Sequence, residues 1–128
     1  MIGNFPPRRC GIATFTYDVF TSLRDQTPAA EWHVVAMNDA GATYDYPEAV
    51  THVLPQDDPK AYVQIADILN LSGVEVALVQ HEFGIFGGEA GSHLLLLMRR
   101  LRMPIIVWLH TVLENPTPAQ KRVMDEIL

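Results

Sequence analysis

Three short segments hold most of the residues able to do chemistry: Pro6–Gly11, His81–Gly91 and the pair His110-Thr111. Between them they contain the only cysteine, Cys10, two of the five histidines and five of the eight glycines. In the first, Arg8, Arg9 and Gly11 stand just before a run with helical spacing, and a helix N-terminus attracts anions through its free N–H groups and dipole. Arg8, Arg9 and Gly11 are therefore candidate substrate-binding residues, the alternative being a rigid proline turn with two solvated arginines. No G-x-G-x-x-G pattern and no Gly-Lys-Ser/Thr follows a candidate strand, so neither a dinucleotide fingerprint nor a phosphate-binding Walker loop is present. Cys10 has no identifiable base as neighbour and is a weak candidate nucleophile.

The stretch His81-Glu82-Phe83-Gly84-Ile85-Phe86-Gly87-Gly88-Glu89-Ala90-Gly91 is the most informative in the chain. Its glycines suit a backbone that approaches a ligand closely. His81, Glu82, Gly87 and Gly88 are candidate substrate contacts, against the plainer reading of a hydrogen-bonded strand end. His81-Glu82 resembles the opening of H-E-x-x-H, but Ile85 stands where the second histidine belongs, which leaves zinc a weak alternative with His93 as a further ligand. His110 ends an apolar run. It is the candidate catalytic residue, able to hydrogen-bond a hydroxyl or move a proton near neutral pH, with Thr111 beside it. Tyr44 and Tyr46, in a loop, could reach a bound acceptor, whereas His33, His52, His93 and both tryptophans read as structural.

The elements that would position these groups alternate. A helix is predicted from Ile12 to about Arg24 on the spacing of Ile12, Phe15, Val19, Phe20 and Leu23. Strands follow at His33–Met37 and Thr51–Leu54. Asp58-Pro59 caps a second helix with Tyr62, Ile65, Ala66 and Leu69 on one face, and Gly73 ends it. Val74–Gln80 reads as a central strand, Leu94–Leu101 as a helix apolar nearly all round, and Pro104–Leu109 as the next strand. Thr117-Pro118-Ala119-Gln120 is a capping box opening a last helix. This order predicts an α/β, Rossmann-like, doubly wound parallel sheet in a single domain spanning residues 1–128. In such sheets ligands bind beyond the carboxyl ends of the strands, where all three chemical segments would meet. Met1–Asn4 is short for a first strand and the last helix runs to Leu128, so a partial domain is expected, truncated at both ends.

Nine Lys and Arg against fifteen Asp and Glu give a net charge of −6, the wrong overall field for nucleic acid or anionic lipid. With one cysteine, no disulfide forms within the chain, which suits a cytoplasmic location. No apolar stretch approaches the ~20 residues a transmembrane helix needs, and no secretion signal is evident. An incomplete sheet leaves apolar surface that invites self-association.

Pro6-Pro7-Arg8-Arg9-Cys10-Gly11-Ile12-Ala13-Thr14-Phe15-Thr16, then His81–Gly91, then Leu109-His110-Thr111-Val112 resemble, in that order and over nearly the whole chain, the N-terminal part of bacterial group 1 (family 4) retaining glycosyltransferases. The first two motifs are long enough to be specific. The resemblance implies one half of a GT-B enzyme, in which two Rossmann-like domains face a cleft. The acceptor lies mostly on the N-terminal domain and the nucleotide-sugar donor mostly on a C-terminal one, for which these residues have no segment. It implies that Arg8–Gly11 lies close to the donor diphosphate and acceptor, that His110 lies close to the transferring sugar, and that His81–Gly88 lines the acceptor side. It further implies hexose transfer with retention, no cofactor besides the nucleotide-sugar substrate and no essential metal. Two other classes stay open: a free-standing α/β ligand-binding or interaction module, and a GT-B-shaped sugar-nucleotide epimerase.

Overall fold

The computed structural model describes residues 1–128. Five strands, β1 (Ile2–Gly3), β2 (Val34–Asn38), β3 (Val50–Pro55), β4 (Ala77–His81) and β5 (Ile105–Leu109), form one sheet in the order β3-β2-β1-β4-β5, with every pair parallel. Helices α1 (Gly11–Gln26), α2 (Pro59–Leu71), α3 (His93–Met98) and α4 (Pro118–Ile127) complete the chain. The α/β doubly wound architecture expected from the alternation of elements is the one observed. No helix is long and apolar enough to cross a membrane.

Both faces of the sheet are covered, because the strands alternate their side chains between two apolar layers. Val34 and Ala36 of β2 and Leu78 of β4 pack with Phe5 and Phe20 on the α1 side. Ile2, Val35, Met37 and Val79 face the other way onto Tyr62, Ile65 and Leu69 of α2 and Leu94 and Leu97 of α3. A smaller cluster of Phe83, Leu95 and Val123 fastens α4 to α3.

The helix signals are local and hold. Asp58 accepts from the Lys60 N–H at 2.9 Å with Pro59 in the first turn, Gly73 ends the next turn at φ +72°, and Thr117 and Gln120 form the capping box. The strand limits differ. Val74–Val76, expected within β4, lie outside it, since β4 begins only where Ala77 meets Ile105 of β5, and Val76 is left exposed. Helix α3 is shorter than the apolar run suggests. Leu94, Leu95 and Leu97 are buried, Leu96 and Met98 are half-buried, and Leu101 falls beyond its end. Phe15 does not point into the core either. It reaches sideways off α1 to edge-on contacts with Trp108 and His110.

The glycine-rich loop after β4 is held from inside. Tyr62 Oη donates to the Gln56 carbonyl at 2.9 Å and accepts from the Gly87 N–H at 3.0 Å, and burial raises its pKa to about 12, so it keeps its proton. A Cβ on Gly87 would fall 2.0 Å from the Gln56 carbonyl oxygen and 2.6 Å from His93 Nδ1, whereas one on Gly84 would meet nothing within 4 Å. Gly87→Ala is therefore expected to destabilise the fold by at least about 1–3 kcal/mol, the range of overpacking costs, while Gly84→Ala changes it by less than about 1 kcal/mol. Urea midpoints of the two variants test this, and equal midpoints would remove the structural role given to Gly87.

Candidate functional site

A parallel sheet sends all its strands' carboxyl ends to one rim, and the three segments singled out by their chemistry meet there. At the end of β1, Cys10 caps α1, with Sγ accepting from the Ala13 N–H at 3.4 Å and from Asn4 Nδ2 at 3.4 Å. The thiol is engaged in holding the turn. Arg8 is not a free cation. Its Nη1 donates to Asn4 Oδ1 at 3.0 Å and its Nη2 pairs with Asp39 Oδ1 at 2.8 Å, just past β2. Tyr44 Oη donates to the other Asp39 oxygen at 3.0 Å, and that bond raises the Tyr44 pKa. Tyr46 is turned inward to Met37 and Asn38. Arg9 and Gly11 are exposed, and a Cβ at Gly11 would meet nothing within 4 Å, so this is the open part of the turn.

The ends of β4 and β5 carry a second polar group. Gln80 and Trp108 are register partners, which puts His110, two residues on, on the same face as Gln80. His110 Nε2 lies 2.8 Å from Gln80 Oε1. Thr111 Oγ1 donates to Glu82 Oε2, while Glu82 Oε1 accepts from the Phe83 N–H at 3.0 Å. His110 is half-buried, and burial lowers its pKa against the opposing pull of the Glu82 charge. The two polar groups are joined through the floor of the rim. A Cβ on Gly3 would lie 2.8 Å from Gln80 Cβ, and Phe15 of α1 sits edge-on to His110 with centroids 4.8 Å apart.

Of the candidate residues, Arg8, Arg9, Gly11, Glu82, His110 and Thr111 stand at this rim. His81 does not open onto it. Its side chain points to the opposite face, fully buried, edge-on to Phe83 and stacked on Phe86, and neither ring nitrogen has a partner. The room beside Gly87 and Gly88 is taken by Gln56, Ser92 and His93 of the chain itself. No group of three or more His, Cys, Asp or Glu side chains is arranged to hold a metal ion, and His93 packs on Tyr62. Sequence reasoning passed over Gln80, Asn4 and Asp39. The signal for Gln80 was a single amide inside an apolar strand. Its Oε1 meets His110, but its Nε2 is buried without a partner, at a cost of about 1–3 kcal/mol.

A concavity of about 270 Å³ lies at the opposite edge, lined by residues including Met1, Trp32, Leu69, Val74 and Leu78. Its lining residues are largely hydrophobic, although polar and apolar atoms share its surface about equally. The sheet's strands run away from it, so the N-termini of α1 and the loops that carry polar side chains converge elsewhere. The chemistry is assigned to the carboxyl rim on that ground. No protein-family model, no curated protein and no solved structure matches the chain. Fold and rim together define a Rossmann-like α/β domain with a polar rim at its strand ends.

His81 makes stability depend on pH. Burial lowers its pKa below the ordinary 6.5, with Glu82 opposing the shift. As pH falls, the unfolded chain takes up this proton before the folded one, so the contribution is fully present above about pH 6.5 and is lost as pH drops from there towards the folded-state value. Replacing His81 with Leu, close in size and without a group to protonate, is expected to flatten the fall in unfolding free energy between about pH 7.5 and about pH 5 while leaving stability at neutral pH unchanged or higher. Denaturant titrations at the two pH values measure it. A variant as acid-sensitive as the parent would place the titrating group elsewhere.

Proposed function

We propose that these residues form the acceptor-side domain of a GT-B retaining glycosyltransferase, which passes a hexose from a nucleotide-sugar donor to a hydroxyl of a sugar or other acceptor. What carries the reading is the convergence of the Arg8–Gly11 turn, the Gln80–Glu82 strand end and His110-Thr111 on one rim, in the order of the motifs that resemble that family. In this reading His110, Thr111 and Glu82 hydrogen-bond sugar hydroxyls, Arg9 and Gly11 approach the donor's phosphates at the start of α1, and a second domain holds most of the nucleotide. No cofactor beyond the sugar nucleotide is called for. The enzyme would act in carbohydrate metabolism in the cytoplasm, and the free edge of β5, with Ile106 and Trp108 exposed, supports self-association.

One observation favours the non-catalytic alternative for the 128 residues on their own. With Arg8 paired to Asp39, Arg9 is the single unpaired cation of the turn, too little to stabilise a leaving diphosphate. The chain alone is accordingly expected to bind oligosaccharides weakly and to turn over no sugar nucleotide. Titration of isotopically labelled protein with a panel of glycans should shift the backbone signals of Gly11, Glu82 and Thr111, and His110→Ala should weaken binding by about fivefold, the worth of one hydrogen bond near 1 kcal/mol. Shifts confined to the apolar concavity around Trp32 and Val74 would overturn the placement of the acceptor. Transfer, or epimerised sugar nucleotide, produced by the chain alone would overturn the division of labour between two domains.

A further inference from the structure

Gln80 is fully buried on the interior strand β4, and the one hydrogen bond of its side chain is to the ring of His110. An amide in that position is poor core material. Its Nε2 is left without any partner, and an apolar residue of similar volume would avoid that penalty. Its backbone needs no amide side chain, since Gly3 opposite leaves room for Cβ and Cγ of any unbranched residue. The side chain's position is otherwise fixed: Gly3 lies beneath it, Thr16 is close by, and the His110 ring lies at its tip.

We propose that Gln80 is a positioning residue that holds His110 in a single neutral tautomer, with Nε2–H donated to the buried Gln80 carbonyl oxygen and Nδ1 left as the one ring nitrogen available to a ligand. The two nitrogens of an imidazole are not equivalent, and the bond made by one decides which proton the other lacks. Nε2 faces an amide oxygen at 2.8 Å, which can only accept. Nδ1 has no partner in the chain and is not among the buried unsatisfied atoms, so solvent reaches it. His110 thus offers a lone pair at the rim and takes a hydrogen bond from a hydroxyl rather than giving one. Phe15, edge-on at 4.8 Å, limits rotation of the ring out of this arrangement.

The use of that lone pair on an acceptor hydroxyl rests on the transferase reading, but the tautomer does not, and the test separates them. Long-range proton–nitrogen correlation spectra of the histidine-labelled 128-residue chain, at a pH where His110 is neutral, should show a protonated, pyrrole-type Nε2 and an unprotonated, pyridine-type Nδ1. In Gln80→Met the two nitrogen shifts should move together towards a tautomer average, with thermal stability equal to or above that of the parent. Gln80→Glu should restore the split, because a carboxylate also accepts from Nε2–H, and should raise the His110 pKa. A pyrrole-type Nδ1 in the parent chain overturns the proposal whether or not either variant folds, and so does a Gln80→Met spectrum identical to the parent's. Failure of glycan binding with the split intact would count against the transferase reading alone.

Discussion

At the centre of the sheet β1 and β4 approach so closely that a side chain of any size at Gly3 would collide with Gln80. A strand of two residues has to pair on both sides with almost nothing to hold it, and it does so because its flanks are sealed. Met1, Asn4 and Phe5 are buried with Ile2 and Gly3, and the Val35 N–H bonds the Met1 carbonyl. The missing Cβ leaves room for Gln80 Cβ and Cγ beside β1, and the amide of the same side chain reaches the His110 ring. With a larger residue at position 3, the Gln80 side chain would have to move, and His110 would lose the one bond that orients it.

What could be read from the sequence was whatever depends on neighbours along the chain. Asp58 before Pro59, Gly73 after α2 and the Thr117–Gln120 box identify helix ends because a cap acts within one turn of its own helix. The parallel sheet followed from the alternation of elements, and the rim followed from the sheet. The other strands lie within a residue of where the sequence puts them, but the start of β4 was not legible, because Val74–Val76 have the composition of a strand and no partner strand beside them. The glycines after β4 announced a close approach but not its other side. At Gly87 that other side is the Gln56 carbonyl, thirty-one residues back in the chain, which no local pattern encodes. The Arg8–Asp39 pair and the contact of Gln80 with His110 escaped for the same reason, being accidents of topology rather than of spacing.

Local rules of stability are broken at the end of β4 and in the loop that leads from it to α3. His81 is buried with both ring nitrogens unpaired, Gln80 Nε2 and His93 Nδ1 are orphaned, and Ala90 adopts a left-handed φ of +53°. Each orphan costs on the order of 1–3 kcal/mol against a total stability of about 5–15 kcal/mol for a domain. Elsewhere the same chain keeps its polar groups capped and its core apolar. These costs run from the end of β4 through the loop to the start of α3, and departures of that kind gather where a protein's function constrains it.

The charges at the rim narrow what that function can be. Arg8 is neutralised by Asp39, and Glu82 spends its two oxygens on Thr111 and on the backbone N–H of Phe83. Neither ion is left to face a ligand bare, and burial disfavours the charged form of His110 against the opposing pull of Glu82. A rim whose Arg8 is paired with Asp39 and whose Glu82 keeps its negative charge gives little attraction to a free anion, but it presents oriented donors and acceptors at little further cost of reorganisation. Such a surface suits a neutral, hydroxyl-bearing ligand better than a phosphate, which is the division expected if one domain presents the acceptor and another grips the donor. Within the proposed reading, the cations that draw charge from the leaving diphosphate then have to come from across the cleft, because Arg9 is the one charge in the turn still free to turn towards it.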